Sequence, residues 1–203
     1  PLDQQPFLDY VELPALNAAI HRLLSPAFHL GGPATMGVLF EPADLPWCTA
    51  WHRDWRDNMT GLDLARWDAH FTDDRYFNQV NCALYADSCT WFVPGSHLRS
   101  FDLPGEQQTT DDATLRNLPE EYSTVDAERF YLEHCQQMPG AQPMHLNAGD
   151  FMIYRSHGWH TGLYLPYQTR ATIHDIVSHP DREQVTARWR TAQQKARAAL
   201  EVQ

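Results

Sequence analysis

The chain is short of cationic side chains. Its 15 Lys and Arg stand against 26 Asp and Glu, a formal net charge of −11 at pH 7. That imbalance repels polyanions and argues against nucleic acid or an anionic membrane as the main partner. It leaves an anionic small molecule open, because a local Arg cluster can override the global field. Arg53, Arg56 and Arg155 lie close in sequence to the candidate site residues and could form one. Long apolar runs are also missing. No stretch would span a bilayer, and the first residues show no signal-peptide pattern, so a cytoplasmic location is expected. Cysteine is scarce. Cys48, Cys82, Cys89 and Cys135 form no CxxC pair and follow no regular spacing. They read as reduced thiols rather than a disulfide framework.

What is present suits a globular fold. With 203 residues, 43% hydrophobic and 12% aromatic, the chain is long enough for one domain with a real core, expected over 1–203. Fourteen Pro and ten Gly imply many turns. Apolar Leu16, Ala19, Ile20, Leu23 and Leu24 predict a helix over 14–24, and residues 183–200 read as a C-terminal helix. Residues 1–12 read as irregular. Strands are expected over 35–40, 76–85, 90–93, 146–154 and 169–177. This pattern predicts an all-β protein with flanking helices, arranged as an antiparallel double-sheet jelly roll. Residues 99–143 are polar, acidic and strand-poor, with a short helix expected at 127–137. The segment is too long for an ordinary connection, so it reads as a lid over the site or as a solvated insertion.

The chemistry is carried by His52-Arg53-Asp54 and by His160 about a hundred residues later. In extended backbone, residues two apart point to the same face, so His52 and Asp54 can reach one metal while Arg53 faces away. A third ligand must then come from a distant strand. Two imidazoles and one carboxylate on one side of an ion leave three positions open, which selects non-haem Fe(II) with room for O2 and a chelating co-substrate. Gly149-Asp150 followed by Phe151-Met152-Ile153-Tyr154 reads as a turn into a buried strand, and His160 lies ten residues after Asp150. His157 is its rival and reads as a supporting or surface residue. His97, in Val93-Pro94-Gly95-Ser96-His97, reads as a structural residue bonding across a tight turn. Arg170 is suited to grip a dicarboxylate, because its planar fork binds a carboxylate through two hydrogen bonds and stays charged. Gln79, Asn81 and Ala83 share one strand face. Asn81 there is either a co-substrate contact or a satisfied core amide. Trp55 and Arg56, just after the ligand motif, are candidate substrate-pocket residues.

Trp51-His52-Arg53-Asp54, Val93-Pro94-Gly95-Ser96-His97, Gly149-Asp150, Trp159-His160 and Arg170 stand in an order that resembles the phytanoyl-CoA dioxygenase family, over roughly residues 30–175. The resemblance implies a double-stranded β-helix and an Fe(II)- and 2-oxoglutarate-dependent oxygenase. It implies that His52, Asp54 and His160 ligate Fe(II), that Arg170 binds the far carboxylate of 2-oxoglutarate, and that the Thr172 hydroxyl assists it. Asp54 fills the position that halogenating relatives leave to Gly or Ala, so hydroxylation of a small-molecule substrate with O2 is implied. Two other readings stay open: a non-catalytic small-molecule-binding jelly roll, and a metal-dependent cupin-like enzyme without 2-oxoglutarate. The second has no need of Arg170. The sequence leaves substrate and oligomeric state open.

Overall fold

The computed structural model describes residues 3–57, 63–107, 115, 117–182, 188, 191, 194 and 198. The expected helix over 183–200 lies almost wholly outside the described residues, as do residues 108–114 and 116 of the expected lid. Helices α1 (Gln5–Val11), α2 (Pro14–Leu23), α3 (Leu64–Ala69) and α4 (Thr124–Gln137) flank nine short strands among the described residues. These are β1 (His29–Leu30), β2 (Gly37–Phe40), β3 (Trp47–Cys48), β4 (Asn78–Ala83), β5 (Thr90–Phe92), β6 (Gln142–Pro143), β7 (Phe151–Arg155), β8 (His160–Tyr164) and β9 (Ala171–Ser178). They form two antiparallel sheets. The larger is ordered β1-β9-β4-β7 with β2 also on β9, and the smaller β3-β8-β5-β6. The architecture is the expected jelly roll.

Each sheet hides its outer face under a helix. On β4, Val80 and Cys82 point outward and join Ile173 and Val177 of β9. Leu16 and Ile20, one helical turn apart on α2, close this layer with Tyr10 of α1. Pro14 opens α2 at a position where its missing N–H costs nothing. Residues 5–11 were expected to be irregular. They form a helix because Tyr10 finds a buried place there that only the assembled sheet provides.

The smaller sheet is covered by α4. Ser123 and Asp126 cap its start reciprocally. Ala127, Tyr131 and Cys135 then form a buried stripe against Cys48, Trp51, Trp91, Trp159 and Leu163. Within the segment expected to be a lid or a solvated insertion, α4 therefore belongs to the core, since burial of each large side chain is worth about 1.5–3 kcal/mol. The start of the segment is pinned as well. Arg99 pairs with Glu106, and Asp102 accepts from both Arg53 and Arg56.

Strand β8 was not foreseen. Its first four residues are all buried, so it shows no alternation of apolar and polar residues. All four cysteines are free and buried. No described helix is long and apolar enough to cross a membrane.

Candidate metal centre

The inner faces of the two sheets meet around a polar cluster. The Tyr154 ring of β7 lies 5.8 Å from the His160 ring of β8 and 6.2 Å from the Phe92 ring of β5. His52 and His160 exchange both backbone hydrogen bonds at 3.1 Å, as a directly opposed antiparallel pair. Such pairs present their side chains to the same face. The Asp54 amide donates to the Ser156 carbonyl at 3.0 Å, and the Asp54 carboxylate reaches the same cluster. His52, Asp54 and His160 thereby offer three ligand atoms within 4.8 Å of one another.

The imidazoles are oriented in the same way. His52 Nδ1 donates to the Ala50 carbonyl at 2.7 Å, and His160 Nδ1 donates to the Gly158 carbonyl at 2.9 Å. Each bond goes back two residues, and a carbonyl can only accept, so each Nδ1 carries the proton. Both Nε2 atoms therefore turn toward Asp54 Oδ1, at 3.5 Å and 4.0 Å. Ligands about 2.1 Å from one ion stand roughly 3–3.5 Å apart, so a small contraction would complete a site. The donor set of two imidazole nitrogens and a carboxylate oxygen fits a divalent transition metal.

The electrostatics agree. Burial alone would raise the Asp54 pKa. The hydrogen bond from His52 and the charges of His160 and His52 hold it well below the usual carboxylate range. Burial also disfavours protonated His52, but the hydrogen bond and charge of Asp54 carry its pKa above the ordinary value. Burial and the neighbouring charge of His52 push His160 down to about 4. The pocket thus holds an anion beside two imidazoles, and a divalent ion can take the place of the proton between them.

Backbone strain sits beside this carboxylate. Trp55 and Phe77 have φ of 72° and 65°, positive values that bulky residues avoid. Their rings meet edge to face at 6.1 Å. Each such residue costs about 1–3 kcal/mol, and the aromatic packing around Asp54 offsets it.

Arg170 is 4% exposed. Its Nε donates to Asp87 Oδ2 at 2.9 Å, and its guanidinium lies 4.9 Å from the Tyr164 ring centre. Thr172 donates to the same carboxylate oxygen at 2.7 Å. Arg170 and Thr172 are thus joined through Asp87, a partner the sequence did not reveal. Arg170 Nη1 is buried without a hydrogen-bond partner. Arg170 and Asp54 act on the same interior groups, since the charges of both are felt at Tyr154 and at His174.

Of the two readings of Asn81, the hydrogen bonds favour the core amide, with its Oδ1 2.7 Å from His174 Nδ1. Trp55 packs with Phe77 against the aromatic cluster of Trp67, Phe71 and Tyr76 and lines a small cleft with Phe77, Gln79 and Ser156. Arg56 is held by Asp57 and Asp102. The expected anion-binding cluster is also absent among the described residues. Arg53 is wholly buried, and its Nη1 donates to the carbonyls of Ser96, Arg99 and His157, so it latches the turn to the ligand-bearing strand. Arg155 donates to the Phe71 and Asp73 carbonyls. Backbone groups and Asp102 use these charges. In the turn it is Ser96 rather than the His97 ring that bonds across, accepting from the Trp159 amide at 2.8 Å and donating to the Val93 carbonyl at 2.6 Å.

His157 points away from the cluster into an aromatic cage. Its ring lies 4.1 Å from that of Phe71 and 4.7 Å from that of Phe77, and Nε2 donates to the His97 carbonyl at 3.0 Å. Burial, with Arg155 nearby, pushes its pKa down to about 2. The unfolded chain binds a proton here below about pH 6.5 and the folded chain does not, so stability falls as pH drops below that value. The contribution is about 1.4 kcal/mol per pH unit at most. Urea unfolding of His157→Phe between pH 7.5 and 5 should lose stability less steeply than wild type, by about one proton. Equal slopes would show that His157 does not titrate on unfolding.

No family model and no curated protein sequence matches this chain. Solved structures do. EvdMO1 matches at 16% identity over 85% of this chain and 32% of its own, with a TM-score of 0.50. AviO1 from Streptomyces viridochromogenes Tue57 matches at 14% identity over 88% and 63%, also with a TM-score of 0.50. A nickel complex of ThoJ, a non-haem monooxygenase, matches at 17% identity over 82% and 51%, with a TM-score of 0.49. The chain thus spans less than two thirds of each of these proteins. EvdMO1 and AviO1 share its fold at identities where only the fold is informative. Fold and site together define a jelly-roll protein with a two-histidine, one-carboxylate cluster at its centre.

Proposed function

We propose that the chain is a non-haem Fe(II)- and 2-oxoglutarate-dependent oxygenase of the phytanoyl-CoA dioxygenase type, acting as one domain and hydroxylating a C–H bond of a small molecule. The observation that carries this reading is the pairing of the convergent His52–Asp54–His160 cluster with a buried Arg170 whose Nη1 has no hydrogen-bond partner. His52 Nε2, His160 Nε2 and Asp54 Oδ1 would hold the iron. Arg170 would take the far carboxylate of the co-substrate, with Asp87 and Thr172 fixing the guanidinium in place. The iron with 2-oxoglutarate supplies O2 activation and C–H oxidation. The protein's own work is to orient the two imidazoles by their Nδ1 bonds, to keep Asp54 ionised and to exclude water with Phe92, Tyr154 and the core behind them. The buried free thiols support a reducing, cytoplasmic setting.

One observation favours a second reading. Asp87 already balances the Arg170 charge, and both side chains are about 95% buried. In a metal enzyme without 2-oxoglutarate, this pair would be purely structural. Anaerobic titration separates the two. Fe(II) followed by 2-oxoglutarate should develop a visible metal-to-ligand charge-transfer band at one equivalent of each. Stoichiometric Fe(II) binding with no band on adding 2-oxoglutarate would support the second reading instead.

A further inference from the structure

The inner face of the larger sheet carries a hydrogen-bonded relay that ends on the metal-cluster carboxylate. Cross-strand register sets Gln79 of β4 opposite Tyr154 of β7, and Asn81 of β4 opposite His174 of β9. Opposed residues point to the same face, so all four side chains enter the interior. The Tyr154 hydroxyl donates to Gln79 Oε1 at 2.7 Å, and Gln79 Nε2 donates to Asp54 Oδ2 at 2.8 Å. Beside it on the same face, Asn81 Oδ1 lies 2.7 Å from His174 Nδ1. Asn81 Nδ2 is also 3.5 Å from Thr90 Oγ1.

The relay has one direction. An amide oxygen only accepts, so Tyr154 at Oε1 forces the Gln79 NH2 toward Asp54. A flipped amide would set its oxygen against the carboxylate oxygen, two acceptors facing each other. In the neighbouring pair, Asn81 Oδ1 requires the His174 proton on Nδ1. An ionised carboxylate accepts without donating, so it is a natural terminus. Its two oxygens are divided. Oδ1 faces the two Nε2 atoms, and Oδ2 is taken by Gln79. Ser156 also hydrogen-bonds this carboxylate.

We propose that Gln79 and Tyr154 are positioning residues that hold Asp54 as a one-oxygen metal ligand, with Oδ1 on the ion and Oδ2 on the Gln79 amide. This deepens the proposed function and rests on the metal reading of the cluster. The consequence is a count of open positions. A six-coordinate ion with two imidazoles and one carboxylate oxygen keeps three positions, enough for a two-toothed co-substrate and O2. A carboxylate free to swing both oxygens onto the ion would leave two.

Mn(II) binding tests this, since it requires no turnover. Wild type should bind one Mn(II), and electron paramagnetic resonance in 17O-enriched water should report three bound waters. Gln79→Met keeps the side-chain length and removes the donor. It should lower Mn(II) affinity about 10- to 100-fold, the usual loss when a ligand's supporting partner is removed. It should also reduce the bound waters from three to two. Tyr154→Phe removes one hydroxyl and leaves the amide free to rotate, so it should move both quantities the same way by a smaller amount. Gln79→Glu keeps the amide's shape but lacks its NH2, and should fail to restore the wild-type water count. Circular dichroism verifies the fold, and if Gln79→Met does not fold, Tyr154→Phe alone decides. Folded variants with wild-type affinity and three waters would overturn the relay and leave the metal site standing. A wild-type protein that binds no Mn(II) would overturn both.

Discussion

His160→Ala should abolish stoichiometric Fe(II) binding while leaving the protein folded. His160 is one of two imidazoles whose Nε2 faces Asp54 Oδ1, and its removal leaves a two-ligand remnant. Two protein ligands hold a labile divalent ion poorly against six waters. The backbone at position 160 would still pair with His52 in the variant, since that contact uses only main-chain atoms. The informative control is His157→Phe. The two histidines are three residues apart, yet one faces the cluster and the other an aromatic cage. His157→Phe should keep metal binding near wild type. Anaerobic equilibrium dialysis of both variants reads the result directly. If His157→Phe loses the metal and His160→Ala keeps it, the ligand assignment is wrong.

The second large effect concerns Arg170. Truncating one member of a buried, hydrogen-bonded charge pair costs about 2–5 kcal/mol, and each 1.4 kcal/mol is a factor of ten. Arg170→Met should therefore weaken 2-oxoglutarate by roughly two to three decades and leave Fe(II) affinity nearly unchanged. The same change exposes a second cost. Asp87 keeps its hydrogen bonds from Thr172 and the Cys89 amide but loses its only described ion pair, so the variant should also lose stability. Pairing it with Asp87→Asn separates the two. The double variant should recover much of the stability and none of the co-substrate affinity. Unchanged 2-oxoglutarate affinity in either variant would mean that Arg170 is a structural cation and that any anchor lies elsewhere.

The candidate ligand positions were legible because residues two apart in extended backbone share a face, and the fold does bring His52 and Asp54 to one cluster with His160. The helix over 14–24 and the strand around 78–83 were legible for the same kind of reason, since each carries its own periodicity. The buried role of α4 was not. Its stripe of Ala127, Tyr131 and Cys135 is weakly apolar among many polar neighbours, and it becomes a core helix only because Trp51, Trp91 and Trp159 converge beneath it. Arg53, Arg56 and Arg155 looked like one cationic patch in sequence. In the fold Arg53 and Arg56 share the Asp102 carboxylate while Arg155 bonds the Phe71 and Asp73 carbonyls, because a buried guanidinium must find acceptors wherever they lie.

Residue types at fixed spacing were enough to say which atoms could ligate, and Arg170 stood out as a cation within a strand-like run. How those atoms are held follows from the assembled fold. Asp87 and Arg170 are 83 residues apart, Gln79 and Tyr154 are 75 apart, and each pair is joined by a side-chain hydrogen bond. Local period governs which face a side chain takes. Which partner it meets there depends on strand order and register, and these emerge only when the whole sheet assembles.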